Sequence, residues 1–243
     1  MALTKTPIEL SSTPSIVDGG NATAITIDSS ENVAIGGSVS ISHASGDSLT
    51  LTKTTTEPSL RLEGNSNKDF VITVSGELLT ITQNDGGTDI LTLDHDTGAV
   101  KKPLQPAFLV KPANNNQTNV AINAYVTIIM GTEIFDQGGD FASNTCTAPG
   151  AGRYQINWCV DLLNTDTDSA YTFATLKTSN REYRGIITPS AYALDSAYVS
   201  LSGSVLADMD ASDTAYVTIY QGGGAAQLDI NGTSTYFSGF LAC

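Results

Sequence analysis

The large aromatic side chains of this chain are confined almost entirely to one part of it. Of its 9 Tyr, 7 Phe and single Trp, only Phe70 precedes residue 106. Bulky aromatics dominate core burial in globular domains. Residues 106–243 therefore have the means to build an ordinary globular core. The preceding part must build its interior from Ile, Leu and Val alone.

That earlier part reads as a series of short strands. Ala24-Ile-Thr-Ile27, Asn32-Val-Ala-Ile35, Ser38-Val-Ser-Ile41, Ser48-Leu-Thr-Leu51 and Ser59-Leu-Arg-Leu62 alternate apolar with small polar residues. Phe70-Val-Ile-Thr-Val74, Leu79-Thr-Ile81 and Ile90-Leu-Thr-Leu93 follow. Period-2 alternation is the signature of half-buried strands. Gly36-Gly37, Ser45-Gly46-Asp47, Gly64-Asn65, Asn84-Asp-Gly-Gly87 and Thr97-Gly98 supply turns between them. A weak internal repeat relates Ile25-Thr-Ile-Asp28 to Leu91-Thr-Leu-Asp94. Each Asp is followed four residues later by a turn former, Asn32 or Gly98.

Strands this short, with two apolar side chains each, do not make a stable core in one chain. Sharing a core among three copies around one axis resolves the shortage. Residues 21–105 are therefore expected to form a trimeric β shaft. Lys101-Lys-Pro-Leu-Gln-Pro106 carries two prolines, which break strand pairing, and marks the boundary with a head at 106–243. Residues 1–20, with Pro7, Pro14 and Gly19-Gly20, read as an extended arm that orders on a partner.

The net charge is -14. Such a chain repels phosphate backbones, which argues against nucleic-acid binding. No apolar run approaches the ~20 residues of a membrane helix. The first residues show no basic region followed by an apolar stretch, so no secretory signal is expected. Cys146, Cys159 and Cys243 fit no zinc spacing. They read as buried or idle thiols, with a Cys146–Cys159 bridge or an inter-chain contact at Cys243 as alternatives.

In the head the alternation lengthens. Tyr154, Ile156, Trp158, Val160 and Leu162 share one face of a strand, and Arg153, Gln155, Asn157, Cys159 and Asp161 the other. One buried and one polar face is the pattern of a two-sheet sandwich. Thr214–Tyr220 alternates similarly. No helical period with caps is present, and eight to ten strands fit the length, as in a jelly roll. The expected class is all-β: a trimeric strand shaft followed by a jelly-roll sandwich.

The order of landmarks resembles the globular heads of the complement-component and tumour-necrosis-factor-like superfamily. Pro106-Ala-Phe-Leu-Val110 matches its opening strand, and Pro149-Gly-Ala-Gly-Arg-Tyr154 its proline-glycine-tyrosine strand. Ser204-Val-Leu206 and Asp213-Thr-Ala-Tyr-Val217 match its paired late strands, and Ser234–Leu241 its closing strand. The Ala151-Gly152 insertion and Ser212-Asp213, where Gly-Asp is usual, depart from it. The resemblance implies a compact trimer of jelly rolls that binds ligands and is not an enzyme. The N-terminal half resembles phage tail-fibre and spike proteins, through Ala24–Gly36 and Thr97–Phe108.

Candidate chemistry is sparse. Both histidines, His43 and His95, precede the head, so a Ser-His-Asp or Cys-His site there is impossible. His95, between Asp94 and Asp96, reads as a solvated turn. Asp166 with Asp168, and Asp208 with Asp210, read as solvated acidic loops. Asp208 and Asp210 are the candidate metal ligands, for calcium, without an EF-hand pattern; no other cofactor is expected. Asn21-Ala-Thr23 and Asn231-Gly-Thr233 match the N-glycosylation pattern by coincidence.

Tyr171, Tyr183, Tyr192 and Tyr198 surround a polar stretch with Arg181, Glu182 and Arg184. Aromatic faces beside hydrogen-bonding groups suit sugars. Arg181, Tyr183, Arg184 and Tyr192 are the candidate ligand-binding residues. The expectation is a homotrimeric virion protein of a phage, made in the host cytoplasm. Its arm would contact other virion proteins, and its head a host surface glycan. It would contact no nucleic acid and insert in no membrane. A capsid decoration protein that reinforces the shell is the alternative.

Overall fold

The computed structural model describes residues 25–27, 33–35, 59–62, 70–83 and 89–243. The chain divides into two units, Met1–Thr56 and Glu57–Cys243. In the first, β1 (Ile25–Ile27) pairs antiparallel with β2 (Val33–Ile35), Ile25 opposite Ile35. The N-terminal arm, the strands expected at 38–41 and 48–51, His43 and the Asn21 sequon lie outside the described residues.

The second unit opens with an antiparallel meander. Its strands are β3 (Ser59–Leu62), β4 (Phe70–Ser75), β5 (Leu78–Gln83), β6 (Asp89–Asp94) and β7 (Val100–Lys101). They pair in chain order. Gly76, at φ +55°, supplies the left-handed residue of the tight β4–β5 turn. Asp94 closes the β6–β7 turn, its Oδ1 accepting from the Thr97 N–H at 2.9 Å. The strands β4 to β6 are longer than the pattern of short repeats predicts. Their backbone groups pair within the chain, so no neighbouring copy is needed for the ladder.

Register settles which side chains share a face. Leu60 and Leu62 lie opposite Ile72 and Phe70, and Ile72 and Val74 opposite Ile81 and Leu79. Leu79 and Ile81 lie opposite Leu93 and Leu91, and Leu93 opposite Val100. Directly opposed residues project to the same side. One side of the sheet is thus apolar on all five strands, with Gln83 at its margin. The other side carries Thr73, Thr80, Thr82, Thr92, Asp94 and Lys101, with Val71 and Leu78 among them. Much of the apolar side is open: Phe70 is 48% exposed, Leu62 53% and Val100 60%, while the central Ile72, Leu79, Ile81 and Leu91 are half-buried.

The head closes on itself. Its strands are β8 (Ala107–Lys111), β9 (Tyr125–Thr127), β10 (Thr132–Asp136), β11 (Phe141–Ala142), β12 (Thr145–Thr147) and β13 (Gly152–Thr165). Then come β14 (Ser169–Thr178), β15 (Glu182–Ile187), β16 (Ser196–Met209), β17 (Thr214–Gly223), β18 (Asp229–Ile230) and β19 (Tyr236–Leu241). One sheet runs β10-β8-β19-β13-β16, and the other β11-β12-β17-β14-β15. The pairings are nested: β8 with β19, β12 with β17, β13 with β16, β14 with β15. Nested antiparallel pairs divided between two sheets define a jelly roll. The fold is all-β, as the alternation predicts.

The alternation in β13 is realised as read. Tyr154, Ile156, Trp158, Val160 and Leu162 are all buried. They meet Ala174 and Leu176 of β14, Val217 and Ile219 of β17 and Phe237 of β19 in one core. Phe108 packs edge-on against Phe237 at 5.0 Å between ring centres, and stacks on Phe141 at 5.5 Å. Trp158 faces Gly203 across the β13–β16 pair. A Cβ at Gly203 would stand 2.6 Å from the indole, so this glycine makes room for the ring. Tyr154 reaches back to donate its hydroxyl to the Gly150 carbonyl at 2.8 Å. Ser212 sits at φ +74°, a left-handed position that favours glycine.

All three cysteines are free. Cys146 is buried in the core, and burial pushes its thiol up to about 12. The Cys146–Cys159 bridge is not formed. Among the described residues, no helix is long and apolar enough to cross a membrane.

Candidate binding site

The outward face of the β14–β17 sheet carries the densest aromatic surface of the head. Tyr171 and Phe173 project from β14, Tyr220 from β17 and Tyr125 from β9. Phe173 lies opposite Tyr220, and Tyr220 opposite Tyr125. The Phe173 and Tyr220 rings stack at 5.0 Å with 3° between planes. Tyr171 continues the stack, 5.9 Å from Phe173 and 6.1 Å from Tyr220. Tyr125 closes it at a tilt of 56°, 5.0 Å from Tyr220. Gly222 stands opposite Tyr171, where a Cβ would come within 2.6 Å of the phenol. The tyrosine ring therefore lies directly over backbone.

Charge frames the rings. Arg184, on β15, places its guanidinium 4.8 Å from the centre of the Phe173 ring and donates to the Tyr125 hydroxyl at 3.2 Å. Lys177 lies 4.0 Å over the Tyr125 ring. Glu182 accepts from both: Lys177 at 3.2 Å, and Arg184 through the same Nη2 that meets Tyr125. The Arg184 hydrogen bond, then that from Lys177, holds the Glu182 carboxyl below its usual range. Burial, then the neighbouring Tyr171, pushes the Tyr220 phenol up. Tyr125, Tyr171, Phe173, Arg184, Ile186 and Tyr220 line a cleft of about 480 Å³. Arg184 keeps its Nε and Nη1 N–H groups without a partner among the described residues.

The residues singled out from sequence do not form one cluster. Arg184 enters the cleft, and so does Tyr171. Tyr183, its neighbour on β15, points to the opposite face and packs against the core, as strand periodicity requires. Arg181 turns to Asp208, with Nε on Oδ1 at 3.1 Å and Nη2 on Oδ2 at 2.8 Å. Tyr192 follows the 3-10 turn Pro189–Ala191, outside the cleft lining. Tyr198 is exposed on β16. Tyr125, Phe173 and Tyr220 complete the cleft. The alternations Tyr171-Thr-Phe173 and Tyr216-Val-Thr-Ile-Tyr220 place them on strand faces; only inter-strand register brings them together.

Asp208 spends both oxygens on Arg181, which holds its carboxyl below the usual range, chiefly through that hydrogen bond. Asp210 donates its backbone N–H to Asp213 Oδ2 at 2.8 Å. Among the described residues, no three His, Cys, Asp or Glu side chains gather as a metal would need. Asp166 corrects the reading of its loop as solvated: it is only 5% exposed. Its Oδ2 accepts the N–H groups of Ala225 and Ala226 at 2.6 and 2.7 Å, and its Oδ1 that of Asp168 at 2.8 Å. These bonds, led by Ala226, lower its pKa. A carboxyl so held is the opposite of a general acid. The Asn231 amide donates to Asp161 at 2.9 Å, a structural role in the head. His95 is an exposed turn residue beside Asp96.

Comparison with known proteins returns fold likeness only. No family model matches the chain, and no curated protein matches it. Among solved structures, murine APRIL is similar at 13% identity and a TM-score of 0.42. That match spans 56% of this chain and 98% of the other. The globular domain of zebrafish complement 1qA is similar at 16% identity and a TM-score of 0.40. It spans 57% of this chain and 98% of its own.

Proposed function

We propose that the protein is a homotrimeric structural protein of a phage virion, a fibre or spike whose head contacts a glycan receptor on the host surface. The observation that carries the reading is the open apolar side of the β3–β7 sheet. Leu, Ile, Val and Phe side chains fill one face on every strand; Leu60, Leu62, Phe70, Val74, Leu93 and Val100 are exposed and Ile72, Leu79, Ile81 and Leu91 half-buried. Left in water, such a face costs about 25 cal/mol for each Å² of apolar surface. Large contiguous exposed apolar faces mark association sites. Three copies of one sheet, each turning its apolar side to a common axis, bury all three without an added partner.

The virion assignment draws on the resemblance of residues 24–36 and 97–108 to tail-fibre and spike proteins. Display of three heads would convert weak single contacts into useful avidity. Residues 1–20 would hold the fibre to other virion proteins. Electron cryo-microscopy of the particles tests this assignment. A handful of threefold projections at the tail is the expected result. Hundreds of copies spread over the capsid lattice would favour a decoration protein, and absence from the particle would end the virion reading.

A further inference from the structure

We propose that the aromatic cleft of the head binds a neutral pyranose unit. The proposal rests on the reading of the head as the receptor-contacting part and gives that contact its residues and ligand class. One face of a pyranose ring is largely C–H, while its rim is hydroxyl. It needs a flat apolar platform with hydrogen-bonding groups at the edge. The cleft supplies both. Tyr171 is open to solvent beside the nearly parallel rings of Phe173 and Tyr220. The platform is pre-formed, because Phe173 is 93% buried beneath its neighbours and Gly222 lets Tyr171 lie flat on backbone. Ile186, opposite Phe173, forms an apolar wall.

The edge chemistry selects for hydroxyls. Arg184 is fixed by Glu182, Tyr125 and the Phe173 face, so its free N–H groups hold a set direction. Glu182 accepts from that same guanidinium, and phenol hydroxyls can give or take. The Arg184 guanidinium and the Tyr125, Tyr171 and Tyr220 side chains thus bring donors and acceptors into the cleft lining. Charge argues for a neutral sugar. Glu182 pairs with Arg184 at the cleft wall, and Lys177, which shares Glu182, lies outside the cleft lining. The chain as a whole carries a net charge of -14, which repels acidic polysaccharide at long range.

The test is binding of the whole chain to an immobilised array of neutral and acidic bacterial surface saccharides. A panel of bacterial cell envelopes, native and periodate-oxidised, is read alongside. The expected result is binding to neutral saccharides, little changed by added salt. Tyr171→Ala and Arg184→Gln each weaken it about tenfold or more, equivalent to roughly 1.4 kcal/mol. Tyr171→Phe, which keeps the platform, and Glu133→Ala, on the exposed edge of β10, keep binding. Unchanged sedimentation of each variant shows that the fold is retained. Binding restricted to acidic saccharides, or kept in both Tyr171→Ala and Arg184→Gln, would overturn the proposal. Adsorption to envelopes that survives periodate, with no array binding, would overturn it too while leaving a receptor-contacting head. No adsorption to any envelope or saccharide would remove both.

Discussion

At the scale of single residues, the head is held by polar groups that sequence reading places in water. Asp166 is the clearest case. Two aspartates two residues apart in Asn164-Thr-Asp-Thr-Asp-Ser169 look like a solvated loop. The fold instead wraps residues 224–226 around the Asp166 carboxylate. The folded pKa lies below that of the unfolded chain, about 3.9. Its contribution to stability is therefore present above that value and is lost as pH falls through the folded pKa. Asp166→Ala should destabilise the head by about 1–3 kcal/mol at neutral pH, because the Ala225 and Ala226 N–H groups lose their acceptor. The difference from wild type should shrink as the solution is acidified below pH 4. Urea titrations at several pH values measure both effects. A pH-independent difference would contradict this role. Nothing local in the sequence marks Asp166, because its partners arrive from sixty residues downstream.

At the scale of elements, facing was legible and register was not. The period-2 pattern in β13 placed Tyr154, Ile156, Trp158, Val160 and Leu162 inward, and all five are buried. That pattern is carried by one strand, so one strand suffices to read it. The aromatic cleft needs β9, β14, β15 and β17 in register, which no single segment encodes. Adjacent strand residues face opposite ways, so β15 turns Arg184 to the cleft and Tyr183 to the core. The β13–β16 pair shows register acting on the core. Trp158 fits because Gly203 is its cross-strand partner. Gly203→Ala should cost about 1–3 kcal/mol through overpacking against a rigid indole. Chemical denaturation followed by Trp158 fluorescence checks this, and an unchanged midpoint would mean that the indole has room to move.

At the scale of the whole molecule, two ways of managing apolar surface meet in one chain. The jelly roll buries its large side chains between its own sheets. The β3–β7 sheet satisfies its backbone and leaves one side-chain face open. The scarcity of aromatics before residue 106 pointed to this difference. It did not reveal that the unsatisfied part is a face, because the strands paired within the chain more fully than their short repeats implied. Sedimentation equilibrium over a wide concentration range tests the central claim most directly, with Leu79→Asp beside the wild type. Wild type is expected at three chain masses down to low concentration, and Leu79→Asp as single chains that keep a folded head. A wild-type chain that stays folded, soluble and single at every concentration would contradict a core shared among copies.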